Sequence, residues 1–130
     1  MTPSILTEIR HTSIASKVRA MMDAPSSSSS QSPFTSSQGL PLATLLYLAT
    51  LGGAHVCNLG ESVGSFAPGK EFDALLVSLP RGAANPGVWY DGSAESLETM
   101  LERFFFGGDD RNIRKVWVRG RLVGGADASI

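Results

Sequence analysis

Residues 64–74 read GSFAPGKEFDA, and this stretch predicts a glycine-containing turn that leads into a short strand. Gly64 and Gly69 supply the backbone freedom of a tight turn, and the apolar run Phe72–Val77 is typical of a strand. The stretch also fits G-x-x-x-x-G-K, the opening of a phosphate-binding loop. Glu71 stands where that motif has a Mg²⁺-binding Ser or Thr, and the loop precedes a strand, so nucleotide binding is not predicted.

Three helices are predicted before this stretch. The first is capped by Thr2 and ends before Pro25. The second has an apolar face with the spacing i, i+3, i+4, i+7, formed by Leu42, Leu45, Leu46 and Ala49. Gly52 and Gly53 are expected to interrupt it, and a third short helix over Ala54–Asn58 is expected to end at Gly60.

A polar insertion separates the first two helices. Residues 25–39 read PSSSSSQSPFTSSQG and contain one large apolar residue, Phe34. Such a segment cannot bury enough apolar surface to offset its ordering entropy. The composition therefore predicts a disordered loop.

The C-terminal third is predicted to form a loop, a helix and a hairpin. Residues 81–92 are rich in Gly, Pro and Asn, and Ser93 is expected to cap the helix that follows. The buried face of that helix is predicted at Leu97, Met100, Leu101 and Phe104. Residues 116–118 and 122–123 are typical of a hairpin around Arg119 and Gly120, although this is not a preferred turn pair. A frayed tail is expected at the end.

Charge and cysteine content limit the classes of binding partner and the cellular compartment that the sequence predicts. The 11 basic and 12 acidic residues give a net charge of −1, which provides no footprint for nucleic acid or an anionic membrane. Cys57 is the single cysteine, so no intrachain disulfide is possible. The apolar-rich stretch Leu40–Leu51 is too short to cross a bilayer. These features indicate a cytoplasmic protein.

Few residues are candidates for nucleophilic catalysis or metal binding. Residues 60–64 match the G-x-S-x-G nucleophile elbow, but neither histidine lies downstream of it. His55 and Cys57, with His11 on the first helix, fall short of the pattern of a nucleobase-deaminating zinc site. A packed histidine and a buried thiol are the simpler interpretation.

The sequence DDRN at residues 109–112 is the most unusual local feature. Paired carboxylates can serve acid/base chemistry if a pocket separates their pKa values. Asp109 and Asp110 beside Arg111 and Arg114 are more typical of a capped turn with salt bridges. We therefore favour a structural interpretation of these residues.

Three stretches together resemble the C-terminal end of the amidohydrolase superfamily. They are LATLGGA at residues 48–54, VGSFAPGKEFDA at 63–74 and VWVRGRLV at 116–123. Phe72 stands where the general G-x-x-x-x-G-K-x-A-D pattern has Ala. RFFFGGDDRNI at 103–113 and PSILTEIR at 3–10 are similar to stretches of the guanine deaminases, which narrows the resemblance to that branch.

The resemblance implies an α/β fold made of the last helices of a metal-dependent hydrolase TIM barrel and strands of a small composite β domain. It divides the chain into barrel helices at 1–58, with the insertion at 25–39, and a turn and strand of the β domain at 59–80. A loop and C-terminal helix at 81–114, a hairpin at 115–124 and a frayed tail at 125–130 follow.

Guanine deaminases hydrolyse guanine to xanthine and ammonia with zinc-activated water. The zinc ligands, an H-x-H pair, two further histidines and an aspartate, have no counterparts here, and the aspartate is expected just before Met1. The resemblance thus implies no catalytic, substrate-binding or metal residue in this chain, no zinc bound by it alone and no activity alone. Guanine is the small-molecule partner of the full-length family, and a homodimer or association with a full-length copy is possible.

Two other functions remain open. The chain could be a non-catalytic interaction module that docks on a full-length deaminase. It could also be a fragment of another amidohydrolase, such as a chlorohydrolase-like enzyme, although residues 104–113 favour the guanine branch.

Overall fold

Four helices and three strands form the described part of the chain. The computed structural model describes residues 4–23, 39–79, 85–88 and 95–127. In chain order the elements are α1 (Ile5–Asp23), α2 (Leu42–Tyr47), α3 (Gly53–Val56), β1 (Ala74–Val77), α4 (Leu97–Gly107), β2 (Ile113–Val118) and β3 (Arg121–Gly124). A π-helical turn, Leu48–Gly52, joins α2 to α3, and a 3₁₀ turn, Asp110–Asn112, precedes β2. Within those ranges, no helix has the length and apolar character needed to span a bilayer.

Helix α1 ends at Asp23, as the stop signal at Pro25 predicted. Thr2, residues 25–38 of the serine-rich insertion, Ser93 and residues 128–130 of the tail lie outside the described residues. The helix buries Leu6, Ile9 and Ser13 on one face. Its other large apolar side chains, Ile5, Ile14, Val18, Met21 and Met22, are exposed.

Gly52 and Gly53 continue the helix, so the predicted interruption was wrong. Both residues have right-handed helical dihedrals, and the π-helical turn runs directly into α3. A Cβ on Gly52 would lie 2.9 Å from the Tyr47 ring, so glycine serves close packing here. The helix ends earlier than predicted, at Val56, because Asn58 adopts a positive φ of 57° that ends the helical path.

The three strands form one antiparallel sheet in the order β1-β2-β3. Leu75 pairs with Val116, and Trp117 pairs with Leu122. The predicted strand was two residues too long, since Phe72 lies before β1 and its ring instead contacts Phe66 and Trp117, with centroid distances of 5.7 and 5.9 Å.

The hairpin turn explains why an Arg-Gly pair is tolerated. Arg119 and Gly120 have φ values of 53° and 75°, the signs that a type I′ hairpin turn requires. The Arg119 N–H donates to Asp73 Oδ1 at 2.7 Å, and the Gly120 N–H donates to the Phe72 carbonyl at 2.8 Å. These two hydrogen bonds fix the turn to the segment before β1. They offset the strain of a non-glycine residue at positive φ.

Helix α4 starts later than predicted. Ser96 is its N-cap and accepts from the Thr99 N–H at 3.2 Å, so a cap at Ser93 was wrong. Phe104 and Phe105 are buried and Met100 and Leu101 are partly buried, but Leu97 is 81% exposed. The face prediction failed at Leu97 because the first turn of α4 extends beyond the core.

One core joins α1, α2 and α4, and Val77 of β1 and Ile113 of β2 pack against it. It contains Leu6 and Ile9 of α1, Leu45 of α2, the two phenylalanines of α4, and Leu79 and Val88 from the segments between β1 and α4. Leu46, predicted on the buried face of α2, is exposed, whereas Leu42 and Ala49 pack partly against the core.

Arg10 fixes α1 to the C-terminal end of α4. Its guanidinium donates from Nε to the Phe105 carbonyl at 2.7 Å and from Nη2 to the Gly108 carbonyl at 2.5 Å. These are carbonyls that the helix cannot satisfy internally, and a cation is favoured at this negative end of the helix dipole. The contact joins residues that are 95 and 98 positions apart in the sequence.

Replacing Arg10 with Met should destabilise the chain by about 2–3 kcal/mol, because two charge-assisted hydrogen bonds are lost and their carbonyls remain partly buried. Chemical denaturation measures the change. Arg121→Met, at an exposed position on β3, is the matched control and should cost much less. Equal effects of the two substitutions would contradict the assigned role of Arg10.

Candidate functional site

Lys70 binds backbone carbonyls of its own loop, residues 60–73, and so links the two ends of that loop. Lys70 Nζ donates to the Gly60 carbonyl and lies 3.5 Å from the Val63 carbonyl, and the Glu71 N–H donates to the Ser62 carbonyl at 2.8 Å. The ammonium that a phosphate-binding loop would offer to phosphate is thus engaged with the backbone. The G-x-x-x-x-G-K match describes a structural turn.

Gly64 packs this loop against the helical segment before it. It has a φ of +88°, and a Cβ would lie 2.8 Å from Ala54 Cβ and 2.9 Å from Leu51 Cα. Both the dihedral and the space therefore require glycine. Ser62, the serine of the G-x-S-x-G match, is exposed on this loop and does not lie on a strand-to-helix turn.

The potential metal ligands do not converge. His11 is exposed on α1, and His55 and Cys57 are exposed near the end of α3. The prediction of a buried thiol was wrong, because Cys57 lies where the chain leaves α3 at the surface. In the described ranges, no three His, Cys, Asp or Glu residues are close enough to hold a metal ion.

Asp109 and Asp110 have different roles. Asp109 and Asn112 form a reciprocal capping box on the 3₁₀ turn, and Asp109 also binds the Arg111 guanidinium, with Oδ2 to Nη2 at 2.6 Å. Asp110 is exposed in the first position of the turn. The two carboxylates do not share a pocket, and Arg114 pairs with Asp127 rather than with either of them.

Asn112, the last residue of the DDRN sequence, has a fully buried side chain. Asn112 accepts at Oδ1 from Asn85 Nδ2 at 2.7 Å and from the Asp109 N–H at 3.1 Å, and it donates from Nδ2 to the Ser78 carbonyl at 2.9 Å. Burial without partners would cost about 1–3 kcal/mol for each such group. Here residues from three separate segments of the chain supply the hydrogen-bond partners of the Asn112 side chain.

Asn85 extends this hydrogen-bond network. Its Nδ2 also donates to the Gly107 carbonyl at 3.2 Å, and its Oδ1 accepts from the Gly87 N–H at 2.9 Å and from Arg111 Nη2 at 3.4 Å. Sequence reasoning identified residues 109–112 and missed Asn85. The signal was the Asn-Pro-Gly sequence at 85–87, because Asn side chains bond to the backbone two residues further on.

Asn112→Ala should destabilise the chain by about 2–4 kcal/mol, because it removes the amide that accepts from Asn85 and donates to the Ser78 carbonyl at a fully buried position. Thermal and urea unfolding measure this. Asp110→Ala, two residues away and exposed, should change stability by about 0.5 kcal/mol or less. A mild effect of Asn112→Ala would show that the buried network adds little.

The pH dependence of stability should report the ion pair at Asp109. Its hydrogen bonds from Arg111 lower the pKa of the carboxyl below the ordinary value of 3.8. The ion pair therefore stabilises the fold above pH 3.8, and that contribution is lost as pH falls through the lower, folded-state pKa.

In acid titrations followed by circular dichroism, Asp109→Asn should reduce the loss of stability in this acidic range, since Asn still caps the turn but does not titrate. Asp110→Asn is the control and should leave most of that loss in place. Unchanged acid sensitivity in Asp109→Asn would contradict this assignment.

Comparison with known proteins gives consistent matches. The model of the amidohydrolase family matches residues 4–123. A probable guanine deaminase of Schizosaccharomyces pombe is 46% identical over 86 residues, which are 66% of this chain and 16% of that protein. The guanine deaminase of Mus musculus is 41% identical over 88 residues, 66% of this chain and 19% of that protein.

A solved structure agrees with the sequence matches. The Escherichia coli guanine deaminase structure aligns with a TM-score of 0.67 and 30% identity, covering 97% of this chain and 25% of that chain. The resemblance to guanine deaminases is therefore confirmed, and this chain spans only 16% and 19% of the length of these two curated relatives. The chain belongs to the amidohydrolase family.

Proposed function

We propose that this chain is the C-terminal part of a guanine deaminase, and that it completes the fold of that enzyme without supplying its catalytic groups. The observation that carries the proposal is the match to guanine deaminases over two thirds of the chain, together with its small share of their length. The whole enzyme would convert guanine and water to xanthine and ammonia.

In this proposal the chain divides as its family resemblance suggests. Residues 1–58 contribute helices of the barrel's outer ring, and residues 59–80 and 115–124 contribute a turn and strands to the small β domain. The C-terminal helix lies in residues 81–114. The mixed helical and antiparallel architecture of the described residues is compatible with this division.

The exposed apolar surface supports a role within a larger body. Ile14, Val18, Met21 and Met22 have the spacing i, i+4, i+7, i+8 and form a second apolar stripe on α1, away from its buried face. The contacts of α1 within the described residues leave this stripe uncovered, and an uncovered apolar stripe is typical of a surface that packs against another part of a protein. The sheet is similar, since Leu75, Leu76, Val118 and Val123 are exposed.

The zinc of the family does not fit the described residues. A catalytic zinc needs about three protein ligands and an open position for water. His11, His55 and Cys57 are dispersed over the surface, and the described acids do not gather around any of them. We therefore assign no step of guanine hydrolysis to these side chains.

A second candidate is a non-catalytic module that docks on a complete deaminase. The same apolar stripe on α1 favours a protein partner. The two proposals differ in the partner: a module would bind a complete deaminase, whereas a missing part of the fold would bind only an incomplete one.

The purified chain should bind well under one zinc ion per molecule and produce no xanthine from guanine. Metal analysis and chromatographic detection of xanthine measure the two outcomes. A variant with His11→Ala, His55→Ala and Cys57→Ser is the matched control and should give the same values. One zinc per chain with measurable xanthine, both lost in the control variant, would overturn the proposal.

A further inference from the structure

The chain returns to α1 at the two residues that follow the serine-rich insertion and precede Pro41. The Leu40 N–H donates a hydrogen bond to Ser16 Oγ at 3.1 Å, across 24 positions of the sequence. Gly39 lies against the same turn of α1, where a Cβ on it would lie 2.9 Å from Lys17 Cγ. These contacts place the start of the second helical segment beside the middle of α1.

A second hydrogen bond orients the hydroxyl of Ser16 for this contact. Ser16 Oγ donates to the Ser13 carbonyl at 2.7 Å, one turn earlier in α1. A hydroxyl has one proton and two lone pairs, so donation to Ser13 leaves the lone pairs to accept from Leu40. Serine is not favoured in the interior of a helix, because its side chain competes for backbone groups. Here that competition prepares an acceptor for a distant residue.

The hydrogen bond at Leu40 also determines where α2 begins. Only Pro41 separates Leu40 from the first residue of α2, and Pro41 has φ −60° and ψ 154°. Its carbonyl accepts from the N–H groups of Thr44 and Leu45 at 3.0 and 3.1 Å. The proline ring limits rotation at this connecting residue, and the residue before a proline is restricted to extended conformations. Fixing Leu40 on α1 therefore fixes the first turn of α2.

That first turn carries the side chains that attach α2 to α1. Leu45 is 2% exposed and lies in the core cluster with Ile9 of α1, which is 5% exposed. Leu42 packs partly against the same cluster. The polar contact at Leu40 is thus directly next to the apolar contact between the two helices.

The sequence between Asp23 and Gly39 is much longer than this geometry requires. Helix α1 ends at Asp23, seven residues after Ser16, which corresponds to about 10 Å along a helix axis. Residues 24–38 have a contour length of about 50 Å. A connection of about six residues has enough reach for this distance, so most of the length is not needed to bring α2 to its place on α1.

We propose that the hydrogen bond between Ser16 and Leu40 is a clasp that fixes the return of the chain onto α1. The clasp makes the packing of α2 independent of the length and composition of residues 25–38. It involves only α1 and the two residues before Pro41, so the inference does not depend on the proposed deaminase function. The serine-rich sequence can then change without a change in the core.

Hydrogen exchange of the Leu40 amide in the complete 130-residue chain tests the clasp directly. The wild-type amide should exchange at least tenfold more slowly than the same amide in an unstructured peptide. Ser16→Ala removes the acceptor and should abolish this protection, whereas Ser16→Thr retains a hydroxyl and should keep most of it. The Met100 amide, which donates to the Ser96 carbonyl in α4, is the internal control and should not change.

A shortened chain, in which a Gly-Ser linker of about six residues replaces residues 25–38, tests the independence of α2. Its urea unfolding midpoint should equal or slightly exceed that of the wild type, since a shorter loop costs less closure entropy, and Leu40 should stay protected. An unprotected Leu40 amide in the wild type, or equal protection in wild type and Ser16→Ala, overturns the clasp. A lower midpoint or loss of Leu40 protection in the shortened chain overturns the independence of α2. If Ser16→Ala unfolds, which loss of Met100 protection would show, the wild-type and shortened chains still decide both points.

Discussion

The buried amide of Asn112 determines how the C-terminal half is assembled. Its hydrogen bonds go to the loop at Asn85, to the start of the 3₁₀ turn at Asp109 and to Ser78 after β1. An amide that is completely removed from water must find these partners inside the protein. The three segments therefore have to meet at one point, which fixes the end of α4 relative to the sheet.

The C-terminal end of α4 is satisfied from two sides by this arrangement. The Asn85 side chain donates a hydrogen bond to the Gly107 carbonyl, and the Arg10 side chain donates to the carbonyls of Phe105 and Gly108. A helix end that is buried needs such partners. Here they come from α1 and from the loop before α4, so the helix end couples the N-terminal and C-terminal parts of the chain into one core.

Local signals in the sequence predicted several elements, and distant contacts account for the errors. The end of α1 before Pro25, the hairpin and the capped turn at Asp109 follow from residues close in sequence. The error at Gly52 is an exception, because the Tyr47 ring that leaves no room for a side chain there belongs to the same helical segment. The partnership of Asn85 with Asn112 spans 27 residues, and no local pattern shows which buried amides will meet. Family resemblance, by contrast, was carried by whole motifs such as residues 103–113.

The same physical account explains what several conspicuous polar side chains of the described residues do. Arg10, Lys70, Asp73 and Asn112 all satisfy backbone groups rather than a substrate. Residues of this kind hold a scaffold in place, and their value depends on what the scaffold supports. If a partner covers the second stripe of α1, it stabilises the folded chain by mass action, by about 2.7 kcal/mol at a hundredfold excess over Kd. Under the proposed function, the motifs and the exposed apolar surface have one explanation, since both would serve assembly with the rest of the fold.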